Sequence, residues 1–192
     1  FYRNHPYQIP IIGWRHEIEA LSRQDLESFY KLWYHPNNAI LVVAGDVTMN
    51  DVRPLAEKYY GKVPAGPLPQ RTRPSEPPHV ASQRISLADA RVRQPNWRRL
   101  YLAPSLVYGD TSLVYALEVG NEILGGGATS RLYRTLVVEE NKAVSADSYY
   151  DDSAFGPTTF TLSAAPQQGV SLDEIRYIIG RIVELLFAQG AA

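Results

Sequence analysis

Hydrophobic spacing along the first sixty residues alternates between helical and strand-like. Leu26, Phe29, Tyr30 and Trp33 share one face at helical spacing. Ser22 stands ahead of them as an N-cap, with Asp25 three residues on. Pro36-Asn37-Asn38 ends that pattern. The apolar run Ala39-Ile40-Leu41-Val42-Val43-Ala44, closed by Gly45-Asp46, predicts a short strand buried on both faces. Val52, Leu55, Ala56, Tyr59 and Tyr60 predict the buried stripe of a second helix, stopped at Gly61.

The pattern then breaks. Between Pro64 and Pro78, positions 64, 67, 69, 74, 77 and 78 are proline. Proline fixes φ and lacks an amide donor, so this stretch predicts an extended linker. The boundaries that follow are a first domain over 1–63, a linker over 64–78 and a second domain over 79–192.

Beyond the linker, Arg84-Ile85-Ser86-Leu87-Ala88 and Arg99-Leu100-Tyr101-Leu102-Ala103 have strand patterns, separated by the turn-rich Gln94-Pro95-Asn96. Thr111 to Leu124 reads as a helix, Gly125-Gly126-Gly127 interrupts it, and Thr129 caps another helix containing Leu132, Tyr133 and Leu136. Residues 143–150 and 158–164 predict two strands. Ser171 with Glu174 opens a long helix carrying Leu172, Ile175, Ile178, Ile179, Ile182, Val183 and Leu186 on one face. Helices and strands interleave without a regular βαβ repeat, which predicts an α+β class.

Composition narrows the functional classes. The 192 residues allow one large domain or two small ones, and 45% hydrophobic residues are enough for a packed core. The formal charge is -1, so no general electrostatic pull toward nucleic acid or an anionic membrane exists. No apolar run reaches the roughly 20 residues of a membrane span. The absence of cysteine removes disulfides, zinc–cysteine sites and thiol nucleophiles. With no initiating Met and no signal-peptide pattern, the chain reads as an internal piece.

Candidate chemistry is sparse. His16-Glu17 begins like the zinc motif H-E-x-x-H, but Ala20 stands where the second histidine would be. His5, His35 and His79 form no pair at ligand spacing. Glu139 and Glu140 are adjacent, so on a helix their side chains diverge by about 100°, which suits a solvated face better than an acid–base pair. Gly125-Gly126-Gly127 ahead of a capped helix has two readings, an anion- or peptide-binding backbone free to reach φ > 0 and a passive connector.

Two stretches add a resemblance. The first is His5-Pro6-Tyr7 with Pro10-Ile11-Ile12-Gly13, then Leu21 to Leu26, Tyr34-His35-Pro36-Asn37-Asn38 and Val42 to Val47. It resembles the closing part of the zinc-bearing domain of the pitrilysin/insulinase metallopeptidases. The second, Leu124-Gly125-Gly126-Gly127 with Ser130-Arg131-Leu132-Tyr133, resembles the matching region of the domain that follows. The resemblance implies the end of one metallopeptidase-like α/β domain, a proline-rich linker and most of a second, related α+β domain.

In that family zinc is held by H-x-x-E-H and a glutamate downstream, with the motif's Glu as general base. All of these map upstream of His5. The resemblance therefore implies a zinc metalloendopeptidase whose catalytic and metal-binding residues lie outside this chain, so that the chain alone is inactive and holds no zinc. It also makes Gly125, Gly126 and Gly127 candidate substrate-binding residues in a loop that guides peptides.

Subunits that pair with a zinc-bearing partner carry Arg and Tyr in a stretch resembling L-R-E-K-x-x-x-A-Y. Here that stretch is Leu136 to Val144, with Val137 and Val144 at the two polar positions. Valine offers no donor to a developing oxyanion. The implication is a zinc-bearing subunit of the processing-peptidase-like group, whose Arg/Tyr pair comes from a homologous partner subunit. The alternatives are a non-catalytic structural subunit and a stand-alone peptide-binding module. The resemblance implies the bacterial periplasm, with cytoplasm or mitochondrial matrix as alternatives.

Overall fold

The computed structural model describes residues 1–189, which form two compact units, Phe1–Ala81 and a second beginning at Ser82. In the first, α1 (Arg15–Ala20), α2 (Arg23–Trp33) and α3 (Met49–Tyr60) are joined by irregular chain. Side chains close the N-termini of α2 and α3. Ser22 and Asp25 form a reciprocal capping box, the Asp25 N–H donating to Ser22 Oγ at 3.2 Å and the Ser22 N–H to Asp25 Oδ2 at 2.9 Å. Thr48 and Asp51 repeat the device at α3.

None of these three helices buries a residue. The expected stripe of α3 is therefore exposed or half-exposed, and so is that of α2. The strand expected over 39–44 is also absent. The segment is extended, and Ile40 and Val42 are 91% and 80% exposed. A strand is defined by a neighbour that takes its N–H and C=O groups, and no strand pairs with this run among the described residues.

The buried residues of this unit's N-terminal turn and proline-rich segment are polar, His5 and Glu76. Residues 64–78 form no helix or strand, yet they are pinned at several points. The Asn37 side chain donates to Gly66 O at 2.9 Å and accepts from Gly66 N at 3.1 Å. A Cβ on Gly66 would lie about 2.2 Å from the His35 ring, so only glycine fits there. The Arg71 guanidinium sits 4.9 Å from the centre of the Trp33 ring. Glu76 accepts from the N–H groups of Arg3, Asn4 and His5 at 2.8, 3.1 and 3.0 Å. Proline makes the segment extended, and these contacts strap it to the first unit.

The second unit is an α+β fold built on a three-stranded antiparallel sheet in the order β1-β3-β2, with β1 Trp97–Ala103, β2 Ala143–Tyr150 and β3 Thr158–Pro166. Above it lie α4 (Val114–Gly125), α5 (Arg131–Tyr133, widening into a π turn over Arg134–Glu139) and α6 (Leu172–Gln189). Trp97, Ala164 and Ala146 are register neighbours on the covered face. Together with Leu124, Leu132, Leu136, Leu162, Ile175, Ile178, Ile179 and Ile182 they make the core. Ser171 Oγ accepts the Glu174 N–H at 3.1 Å, starting α6 where the sequence places it. The strand expected at Arg84–Ala88 is not formed. That segment carries no ladder, and Ile85 and Leu87 point into solvent.

Candidate functional site

The glycine run is not a loop of three equivalent residues. Gly125 is the last residue of α4 and is buried. A Cβ there would lie 2.1 Å from the Ser148 backbone N, so glycine lets the helix end sit directly on β2. Ser148 Oγ reinforces the contact by donating to Asn121, whose Oδ1 is 2.8 Å away. Gly126 caps the helix with its N–H on Glu122 O at 3.3 Å. A Cβ on it would crowd Glu122, whereas one on Gly127 would meet open space. None of the three adopts positive φ; the glycines that do are Gly13, Gly45, Gly109 and Gly169. The expectation of left-handed backbone in this run is thus corrected: Gly125 serves close approach, and Gly127 alone has open room around it.

The next helix begins at Ser130, not Thr129, because Ser130 is the residue with extended backbone before Arg131. Its hydroxyl is buried without a hydrogen-bond partner among the described residues.

Val137 is half-buried and packs on the main core. Val144 is the extra residue where the β2–β3 register shifts between Ala143 and Ser145, and it is 48% exposed. Neither position supplies a polar group. Glu139 and Glu140 diverge as expected, Glu139 pairing with Arg134 at 2.7 Å and Glu140 with Arg181. Lys142 pairs with Glu174 at 2.8 Å, and that hydrogen bond raises its pKa.

The histidines are scattered. His16 lies on exposed α1, His5 caps a turn by accepting the Tyr7 N–H at 3.3 Å, His35 packs on Gly66, and His79 stands 3.3 Å from Glu76. Among the described residues no three His, Cys, Asp or Glu side chains gather as a metal site. The residues present do not fit a zinc ion. Glu76 is the most perturbed carboxylate. Burial pushes its pKa up, but the N–H groups of His5, Asn4 and Arg3 and the His79 ring together outweigh that and hold it at about 2. In the second unit Glu118 is raised by its hydrogen bond to Asp152, then by burial and the Asp152 charge. Burial first, and then Asp152, Glu118 and Asp151, raise Tyr150, whose hydroxyl donates to Pro104 O at 2.7 Å. These groups stabilise turns and offer no nucleophile–base pair.

A helix-covered antiparallel sheet defines an α+β domain. Residues 20–191 match the family model described as the peptidase M16 inactive domain. The chain belongs to the peptidase M16 family. A zinc protease from Helicobacter pylori, PqqE, is 29% identical over 164 residues, which are 80% of this chain and 35% of that protein. A crystal structure of a protease from Helicobacter pylori covers 100% of this chain and 45% of its own, with TM-score 0.83 and 24% identity. A peptidase M16 inactive domain from Pseudomonas fluorescens gives TM-score 0.79 at 18% identity, covering 100% of this chain and 45% of that one. The chain spans about a third of the length of the curated relatives it matches.

Proposed function

We propose that this chain is the non-zinc portion of a zinc metalloendopeptidase, with the zinc ligands and general base on residues outside these 192. The observation that carries the reading is the family match to the peptidase M16 inactive domain over residues 20–191. The first unit supports it. Its apolar run 39–44 and the α2 face have no cover, as expected of part of a larger domain whose remaining strands hold the zinc. Zinc in the assembled protein would polarise the scissile carbonyl and activate water. This chain's residues would shape the peptide's surroundings, Gly126 and Gly127 among them.

Val137 and Val144 occupy the positions where the resemblance places Arg and Tyr, so the oxyanion donors come from a homologous partner subunit. By the same resemblance the assembled enzyme works on peptides in the bacterial periplasm. The test is to express the parent protein alone and with a homologous subunit that carries the Arg/Tyr pair, then assay zinc content and hydrolysis of a fluorogenic peptide. Zinc in the parent with hydrolysis only in the pair is the expected result. Full hydrolysis by the parent alone refutes the partner, and a parent without zinc refutes the peptidase.

A further inference from the structure

The segment Ser82–Ser86 runs beside the start of β1 without pairing to it, and between them lies a groove of about 310 Å³. β1 is an edge strand, hydrogen-bonded to β3 on one side only among the described residues. Its outward N–H and C=O groups are therefore an open template for an added strand. Leu172 and Arg176 of α6 also line the groove.

Its charge is one-sided. Arg84, Arg98, Arg99 and Arg176 line it, and no carboxylate does. Asp173 lies nearby and pairs with Arg84 at 2.7 Å and Arg176 at 3.3 Å. Arg98 and Arg99 have no carboxylate partner among the described residues, and Arg99 rests instead over the Tyr101 ring, 5.0 Å from its centre. Ser82, Ser86 and Asn96 supply neutral hydrogen-bonding groups along the same walls. A backbone template bordered by guanidinium groups, those of Arg98 and Arg99 without a carboxylate partner among the described residues, selects an extended polypeptide through its main chain and acidic side chains through charge.

We propose that this groove binds a short acidic segment of polypeptide, laid as an added strand on the free edge of β1 with its carboxylates on Arg98, Arg99 and Arg176. The site lies apart from Gly125–Gly127 and does not depend on the peptidase reading, because it requires no hydrolysis. The chain's own Arg84–Ala88, with Ile85 and Leu87 exposed, is the competitor for this edge that the test below rules out.

The test titrates the purified 192-residue chain into a fluorescein-labelled acetyl-Glu-Val-Asp-Val-Glu peptide and reads anisotropy at low salt. Two comparison peptides accompany it, acetyl-Lys-Val-Lys-Val-Lys and the acidic peptide with alternate backbone nitrogens methylated, and the acidic peptide is titrated again at raised salt, where weaker binding is expected. Saturable binding of the acidic peptide is expected, weakened about tenfold by Arg98→Glu together with Arg176→Glu. Methylation is expected to abolish binding, because it removes the strand donors. Both arginines are exposed, so the thermal midpoint of the double variant should match the parent and show that folding is intact. Absence of saturation up to about 1 mM, or equal affinity for the lysine peptide, overturns the proposal. So does slow hydrogen exchange at the outward β1 amides of the free chain, which would give that edge to Arg84–Ala88.

Discussion

Helices α2 and α6 carry the same kind of amphipathic stripe and meet opposite fates. In α6, Ile175, Ile178, Ile179 and Ile182 are 0–5% exposed against the sheet. In α2, Leu26, Phe29 and Tyr30 are all more than half exposed. Spacing specifies which face of a helix is apolar. Burial also requires a second surface that closes over it, and among the described residues the buried apolar clusters all lie in the second unit. The contrast extends to the strands, since β2 and β3 find each other across a short turn while 39–44 has no partner strand among the described residues.

The sharpest way to break this comparison is a matched pair of truncations. Ile179→Ala should cost about 2–5 kcal/mol, because it leaves a cavity in a packed core. Phe29→Ala in the same chain should change stability by less than about 0.5 kcal/mol. Urea unfolding of both variants measures the difference, and equal losses would erase the distinction between the two units.

Next in size is Gly125→Ala. The added methyl would push on the Ser148 backbone, so α4 or β2 must shift at a cost of about 1–3 kcal/mol. Gly127→Ala, in open space, should be tolerated. If peptide hydrolysis by the assembled protein also falls in Gly127→Ala without a change in thermal midpoint, the glycine run has a direct part in substrate handling.

The largest pH effect belongs to the first unit. The folded-state pKa of Glu76 is depressed to about 2 from an ordinary 4.5, so its stabilisation is full above about pH 4.5 and is lost as the pH falls toward 2. Hydrogen exchange at Arg3, Asn4 and His5 should therefore accelerate over that window. In Glu76→Gln the same amides should exchange faster at neutral pH and vary little with acid. The smallest expected effect is that of the exposed Arg15–Glu19 pair: Arg15→Ala should cost about 0.2–0.5 kcal/mol and vanish into salt.

Much of this fold was legible because it is locally encoded. The Ser22–Asp25 and Ser171–Glu174 signals mark true helix starts, since a cap needs residues only three apart. Strands 143–150 and 158–164 were visible through alternation and an intervening turn, and β3 runs on to Pro166. The strand expected at 39–44 failed for a non-local reason, the want of a partner strand, and 84–88 lies beside the open edge of β1 without pairing to it. Helix α1 was missed because Trp14 gives it no side-chain cap. At the candidate site, the divergence of Glu139 and Glu140 followed from helical geometry. The tight seat of Gly125 on Ser148 depends on a residue 23 positions away, which spacing along α4 does not reveal.

Hydrogen exchange at residues 39–44 tests the central claim most directly, measured in this chain and in the parent protein that precedes it with the proposed zinc-bearing residues. Rapid exchange in the isolated chain and slow exchange in the zinc-loaded parent are predicted, because the apolar run would become an inner strand there. Equally rapid exchange in both would contradict the account, leaving the first unit as a finished structure with an open apolar surface.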